Sequence, residues 1–383
     1  MYYYKSIFLS LFLLLPFFLS AQIANPITYT DNNGLPSSEV FHVIQDKKGF
    51  VWFATNEGVS QFNGYSFKNF TNIEGLADNT ILELYEDYKG RIWFISISGR
   101  LSWYENDSIH KFKYNSLIIN KLEDSAYPIK RSFYIDSTDN IYIGFYNNHL
   151  LKITSGGEVI ELDKSKNASN IVFFDNQLLY NYRNKVNRVV VNLNYSNSEK
   201  ITIQTRKKPY IRAFAHYHQN HILYSEYKTL YIVDSIGNFR KVDFKEEIIW
   251  ISSDSNGLIW IGFLKNGTAA FNDLTFTSKA FHLAANSSVS SVLRDSEDSF
   301  WITTLEDGVL YYPSLDIKHI TKQNFEGNPS TNEFTINNEK IYFGGSGLEY
   351  YEFDQNNIKT YNLNITQKPV DCKLLQWIGD TLV

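Results

Sequence analysis

The chain has 383 residues, of which 43% are hydrophobic, 20% charged and 16% aromatic, a globular and not a disordered composition. Its 36 basic and 41 acidic residues are interspersed and give a net charge of −5, so no basic stripe is offered to nucleic acid. Cys372 is the only cysteine, which excludes intramolecular disulfides and cysteine-based metal clusters.

The N-terminus differs in material from the rest. MYYYK supplies a short segment with one lysine, SIFLSLFLLLPFFL is an apolar run of 14 residues, and small residues follow at Ser20 and Ala21. This pattern predicts a secretory signal peptide over residues 1–21, cleaved after Ala21. An uncleaved N-terminal anchor is the alternative, but the run is short for a membrane span of about 20 residues. The remainder is expected to be exported, to the periplasmic face.

From Asp46 the chain reads DKKGFVWFATNEGVSQF, and 41 positions later, from Asp87, DYKGRIWFISISGRLSWY. An Asp stands six residues before an aromatic in Asp46/Trp52, Asp87/Trp93, Asp136/Tyr142, Asp254/Trp260 and Asp295/Trp301. A Gly, or an Asp in its place, stands three before it: Gly49, Gly90, Asp139, Gly257, Asp298. Asp and Gly form turns, and apolar residues alternate on each side, so every copy predicts a β-hairpin. TDNNGLPSSEVF (30–41) and TNIEGLADNTIL (71–82) precede the first two hairpins, with Gly34/Gly75 and Leu35/Leu76 again 41 apart. The repeating unit therefore has room for four short strands, the content of one propeller blade. A blade alone leaves both faces wet, so Trp52 with Val51 and Phe53 is expected to fill the layers between neighbours.

The aromatic markers fall at 52, 93, 142, 260 and 301, and the gap of 118 after Tyr142 holds two weaker copies, 171–192 and 221–242, with marker positions near 179 and 222. The expected fold is all-β. Residues 22–318 form a seven-bladed β-propeller of about 41-residue, four-stranded blades, the fourth and fifth degenerate. Tyr342 and Leu382 continue the period, so 319–383 is expected to begin a second, truncated propeller.

GLPSSEVFHVIQDKKGFVWFATNEGVSQFNGYSFKNF, followed by GLADNTILELYEDYKGRIWF, resembles the two-component regulator propeller repeats, closely over 27–105 and again over 248–312. The resemblance implies the periplasmic sensor region of Bacteroidetes-type histidine kinases. There two seven-bladed propellers precede a β-sandwich, a transmembrane helix and a kinase, in some members with receiver and DNA-binding domains. It further implies a small-molecule or glycan ligand, partnership with the second propeller and the membrane and kinase regions of the same chain, and a homodimer at full length. No kinase or other catalytic motif stands in the segment itself. The alternatives are a periplasmic propeller enzyme, a lyase or glycoside hydrolase, and a purely structural or protein-binding propeller.

No residue is singled out as catalytic, cofactor-binding or metal-binding, and the ligand-binding residues are not assigned. His216, His218 and His221 in AHYHQNH offer a zinc-like spacing, weighed against a polar strand and turn. SSDSNGLIW (252–260) resembles the sialidase Asp-box, but Gly257 stands three and not two after Asp254, which makes it the repeat's own turn. DSTDN (136–140) and DSEDS (295–299) resemble calcium loops without the downstream Glu. FGGSGLEYY (343–351) leads into an aromatic strand and not a helix, and RKKP (206–209) reads as a solvated basic loop.

Overall fold

The computed structural model describes residues 26–122, 127–146, 149–162, 168–174, 177–183, 187–192, 200–204, 213–234 and 238–315, together with strands between 334 and 382. The signal segment 1–21, Cys372 and RKKP lie outside the described residues. The chain divides into two compact units, Pro26–Leu315 and Asp316–Val383 with 1–25.

In the first unit, β1 (Ile27–Tyr29) is followed by β2 (Val40–Gln45), β3 (Val51–Thr55), β4 (Gly58–Phe62) and β5 (Phe67–Phe70). Next come β6 (Ile81–Glu86), β7 (Ile92–Ser96), β8 (Leu101–Glu105), β9 (Ser108–Lys111) and a helix, α1 (Asn115–Lys121). The chain continues through β10 (Pro128–Ile135), β11 (Ile141–Phe145), β12 (Leu150–Ile153) and β13 (Val159–Glu161). Four strands described in backbone follow, β14 (Ala168–Phe174), β15 (Gln177–Arg183), β16 (Asn187–Asn192) and β17 (Lys200–Gln204). The unit ends with β18 (Ala213–His218), β19 (His221–Glu226), β20 (Thr229–Val233), β21 (Phe239–Asp243), β22 (Ile248–Ser253), β23 (Ile259–Phe263), β24 (Thr268–Phe271), β25 (Lys279–Leu283), β26 (Val289–Arg294), β27 (Phe300–Thr304) and β28 (Val309–Tyr312).

Each consecutive set of four forms an antiparallel up-and-down sheet, and the last sheet is completed by β1, which pairs with β28 through Ile27↔Tyr311 and Tyr29↔Val309. That pairing ties the start of the unit to its end and covers the edge that β28 would otherwise expose, with β1 as the outermost strand. The fold is an all-β propeller. Blades described with their side chains number six, one fewer than the seven expected from the markers. The difference lies at the degenerate copy 171–192, where the backbone forms the sheet β14–β17. The expected marker positions 179 and 222 fall in β15 and β19.

The repeated phrase folds as one hydrogen-bonded device. Asp46 Oδ1 accepts from the backbone N–H groups of Lys48 (2.9 Å) and Phe50 (3.0 Å), and Oδ2 accepts from the indole N–H of Trp52 (2.7 Å). One carboxylate thus pins the turn and aims the ring. The same indole contact recurs in Asp87/Trp93 (2.9 Å), Asp254/Trp260 (2.9 Å) and Asp295/Trp301 (2.8 Å), and Tyr142 substitutes its hydroxyl at 3.2 Å from Asp136. The residue three before the aromatic has a left-handed backbone: φ is +90° at Gly49, +60° at Asp139 and +65° at Asp298. Where Asp replaces Gly it takes on a partner, Arg91 of the preceding blade for Asp139 (2.7 Å) and Arg294 for Asp298 (3.0 Å).

The rings fill the layers as expected. Trp52 packs on Phe94 and Tyr104 of the next blade, whereas Val51 and Phe53 point the other way, into a cluster with Trp301 and Val309. The α1 helix caps the second blade: Ile118 is buried among Trp93, Leu101 and Phe145, and the Asn115 side chain bonds both backbone groups of Leu101 at 2.8 Å.

In the second unit, β29 (Phe334–Asn337), β30 (Lys340–Gly344), β31 (Glu349–Asp354) and β32 (Asn357–Asn362) form a further four-stranded sheet, and β33 (Trp377–Ile378) pairs with β34 (Thr381–Leu382). Tyr342 falls in β30 and Leu382 in β34, and FGGSGLEYY runs from the end of β30 to the start of β31, with 345–348 outside the described residues.

Candidate functional site: a charged cluster at the ring centre

The innermost strand of each blade carries one register position that faces the ring centre, four residues before the turn Asp. It holds His42, Glu83, Ser132, Trp250 and Ser291. Bulges produce it. One extra residue enters β2 between Val40 and His42, β6 between Ile81 and Glu83, β22 between Ile248 and Trp250, and β26 between Val289 and Ser291.

The third blade departs from this rule. Between Pro128↔Phe145 and Phe133↔Ile143 the strand advances five residues against two, so three residues are extra instead of one. Two additional residues therefore enter at the centre, where β10 carries Lys130 and Arg131. Arg131 has φ +60°, a left-handed backbone that a non-glycine residue holds only when its surroundings fix it.

Its backbone N–H is shared by both carboxylate oxygens of Glu83, at 2.9 and 2.8 Å. Its guanidinium crosses the ring, donating to the carbonyl of Ile251 (2.6 Å) and to Nδ1 of His216 (3.0 Å). Lys130 reaches the other way, to the carbonyls of Phe41 (2.5 Å) and Ser290 (3.0 Å), one on each side of the seam where the ring closes. Both cations lie over the ring of Trp250, at 4.9 and 5.0 Å from its centroid, and His42 packs on the same indole at 5.1 Å. One two-residue insertion thus links β10 to β2, β6, β18, β22 and β26.

The hydrogen bonds fix the protonation of the histidines. A guanidinium only donates, so His216 Nδ1 accepts and its proton sits on Nε2, which donates to Ser253 Oγ at 2.9 Å. His42 Nδ1 accepts from the Leu84 N–H at 3.1 Å and is likewise neutral. Burial, with Arg131 near His216 and Lys130 and Arg131 near His42, holds both imidazoles well below the ordinary value of 6.5. Burial also pushes the Glu83 carboxyl up and the Lys130 ammonium down, each opposed by the attraction between them.

The structure separates the three histidines of AHYHQNH. His216 belongs to the central cluster, whereas His218 and His221 face each other across the tight β18–β19 turn, with His221 Nδ1 2.8 Å from the Gln219 carbonyl. No metal-holding group of His, Cys, Asp and Glu occurs among the described residues. The carboxylates of DSTDN, SSDSNG and DSEDS accept from their own turns and from the aromatic six residues on. Lys130, Arg131, Glu83, His42 and Trp250 were not picked out by the sequence reading. One sequence signal marks the place: the spacing from Trp93 to Tyr142 is 49 instead of 41.

The comparisons bear on the repeat first. The two-component regulator propeller model matches residues 34–57. The chain carries that family's repeat. This is the family that its opening repeats resemble, and the matched residues hold Asp46, Gly49 and Trp52 in the geometry described above. No curated protein sequence matches the chain. Among solved structures, the extracellular domain assigned to a hybrid two-component system of B. thetaiotaomicron aligns over 89% of this chain and 50% of its own, with 18% identity and a TM-score of 0.66. One assigned to a one-component system of the same organism aligns over 90% and 48%, with 17% identity and a TM-score of 0.57. An inactive virginiamycin B lyase from Staphylococcus aureus, solved with quinupristin, aligns over 75% and 97%, with 12% identity and a TM-score of 0.57. At these identities the likeness is one of fold. The chain spans about half the length of the two extracellular domains it matches. No helix among the described residues is long and apolar enough to cross a membrane.

Proposed function

We propose that this chain is the extracytoplasmic, ligand-sensing input region of a two-component sensor, a non-enzymatic propeller whose parent is a membrane-anchored histidine kinase. The observation that carries the reading is the two-component regulator propeller repeat at 34–57, set in a propeller. In this reading Pro26–Leu315 is a seven-bladed ring with the β14–β17 sheet as its fourth blade. Support comes from the innermost strands, which neighbour one another in the order β2, β6, β10, β14, β18, β22, β26 and back to β2. The sheet β29–β32 and the hairpin β33–β34 then begin a second propeller, and 1–21 directs export.

A ligand bound at one face of the ring, or between propellers, shifts the relative pose of extracytoplasmic regions, and a downstream helix reads the pose across the membrane. This requires unequal affinity for the two poses. A homodimer of the full-length parent would couple two such inputs. The purified chain, screened against a panel of plant and host glycan fragments, is expected to gain thermal stability with one class of fragment and to leave that fragment intact. Cleavage of the stabilising fragment would overturn the sensor reading in favour of a lyase or glycoside hydrolase.

A further inference from the structure

Among the described residues, the innermost strands bring more positive than negative charge to the ring centre. On the innermost strands, the charged side chains away from the rim turns are Lys130, Arg131 and Glu83 alone. Glu86 and Arg294, at the strand ends, are engaged at the rim with Lys47 and Asp298. The sequence of β14, ASNIVFF, has no ionisable residue, and β22, IIWISS, has none either. His42 and His216 are held neutral by the bonds their Nδ1 atoms accept. Two cations therefore face one carboxylate. Cations taken from bulk water without counter-charge are costly, even where carbonyl dipoles solvate them in part.

Two further observations point to an occupant. Lys130 and Arg131 lie deep in the ring and are mostly buried, yet each keeps some accessible surface, which lines the central channel of a propeller. Lys130 has three N–H donors and gives two of them to carbonyls.

We propose that the ring centre is a binding site for a small monovalent anion, a halide or a formate-sized carboxylate, held by Lys130 and Arg131. The indole of Trp250 closes one side of the site by packing under both cations. Glu83 stays bonded to the Arg131 backbone, so it restrains the insertion without cancelling the second charge. The site serves the ring itself: an anion there strengthens the hold of Lys130 on the carbonyls of Phe41 and Ser290 at the seam. It stands independently of the sensor reading.

The rival fate of the surplus charge is loss of the Lys130 proton, which burial favours. Thermal unfolding at pH 7 separates the two, with sodium gluconate replaced stepwise by sodium chloride or sodium formate at constant ionic strength. Chloride and formate are expected to raise the midpoint of the wild-type chain by about 2 °C or more, growing with the logarithm of concentration. The Lys130→Met variant is expected to lose that increment. Equal midpoints in all salts, or equal increments in wild type and variant, would overturn the proposal. Crystals of the wild-type chain soaked in bromide test it without any variant. An anomalous peak against Lys130 Nζ and the Arg131 guanidinium is the expected result, and bromide at surface positions alone, an adventitious ion only, is the contrary one.

Discussion

The rim turns and the ring centre obey opposite rules. At the rim, Asp46, Asp87, Asp254 and Asp295 each accept from two backbone N–H groups and from an indole six residues on, and blade after blade keeps the arrangement. Four residues before those same aspartates, the centre-facing position holds His42, Glu83, Trp250 and Ser291, no two alike. Every blade must close its own hairpin and cover its neighbour, so the rim device is written many times. The centre is one place shared by all blades, so its residues need not repeat: serine stands at 132 and 291, and the other three blades contribute His42, Glu83 and Trp250. Repetition therefore marks what the fold needs, and its failure marks what this ring does individually.

That contrast can be tested by breaking each part. Trp52 is fully buried between two blades, so Trp52→Ala is expected to cost about 4 kcal/mol, read from denaturant midpoints. The centre should come next. Glu83→Ala removes the one carboxylate beside Lys130 and Arg131, and about 3 kcal/mol of destabilisation is expected, reduced where channel water reaches the cations. A loss under 0.5 kcal/mol in the same measurement would show that Glu83 contributes little to holding the insertion.

The histidines give the centre a pH signature that the rim lacks. Their folded-state values are depressed, so their contribution is present above about 6.5 and is lost as pH falls below it. Glu83, raised in the folded state, titrates in the opposite sense and offsets part of the loss. The double variant His42→Gln, His216→Gln removes only the histidine contribution. Wild type should therefore lose stability relative to it as pH falls through 6.5, with a slope that approaches about 2.7 kcal/mol per pH unit near pH 5.5, two protons' worth. Parallel stability curves from pH 7 to 5 would contradict the neutral assignment of the two rings.

Asp46→Ala removes three hydrogen bonds at the rim but leaves Trp52 in its layer, so about 2 kcal/mol is expected, the smallest of the four. A loss as large as that of Trp52→Ala would mean that the carboxylate, and not the packing, holds the ring in place.

The rim was legible in the sequence because its period of 41 and its Asp–Gly–Trp spacing recur. The sequence reading took Asp for the turn and Trp for the layer, and the structure joins them through Asp Oδ2 and the indole N–H. The centre was not legible. His42 lies in a strand, VFHVIQ, and Lys130–Arg131 in PIKRSFYI, and the longer spacing from Trp93 to Tyr142 does not say which residues the bulge turns inward. Only the fold brings residue 131 beside residues 83, 216 and 251, and no spacing along the chain encodes that meeting. His216 stood out for its neighbours His218 and His221, yet its partner is Arg131.

The central claim, that this propeller is the input region of a membrane sensor, is tested most directly by reading the gene beyond the codon for Val383. The account predicts further repeats of about 41 residues completing a second ring, then one hydrophobic span and a histidine kinase. A stop codon at that point would contradict it.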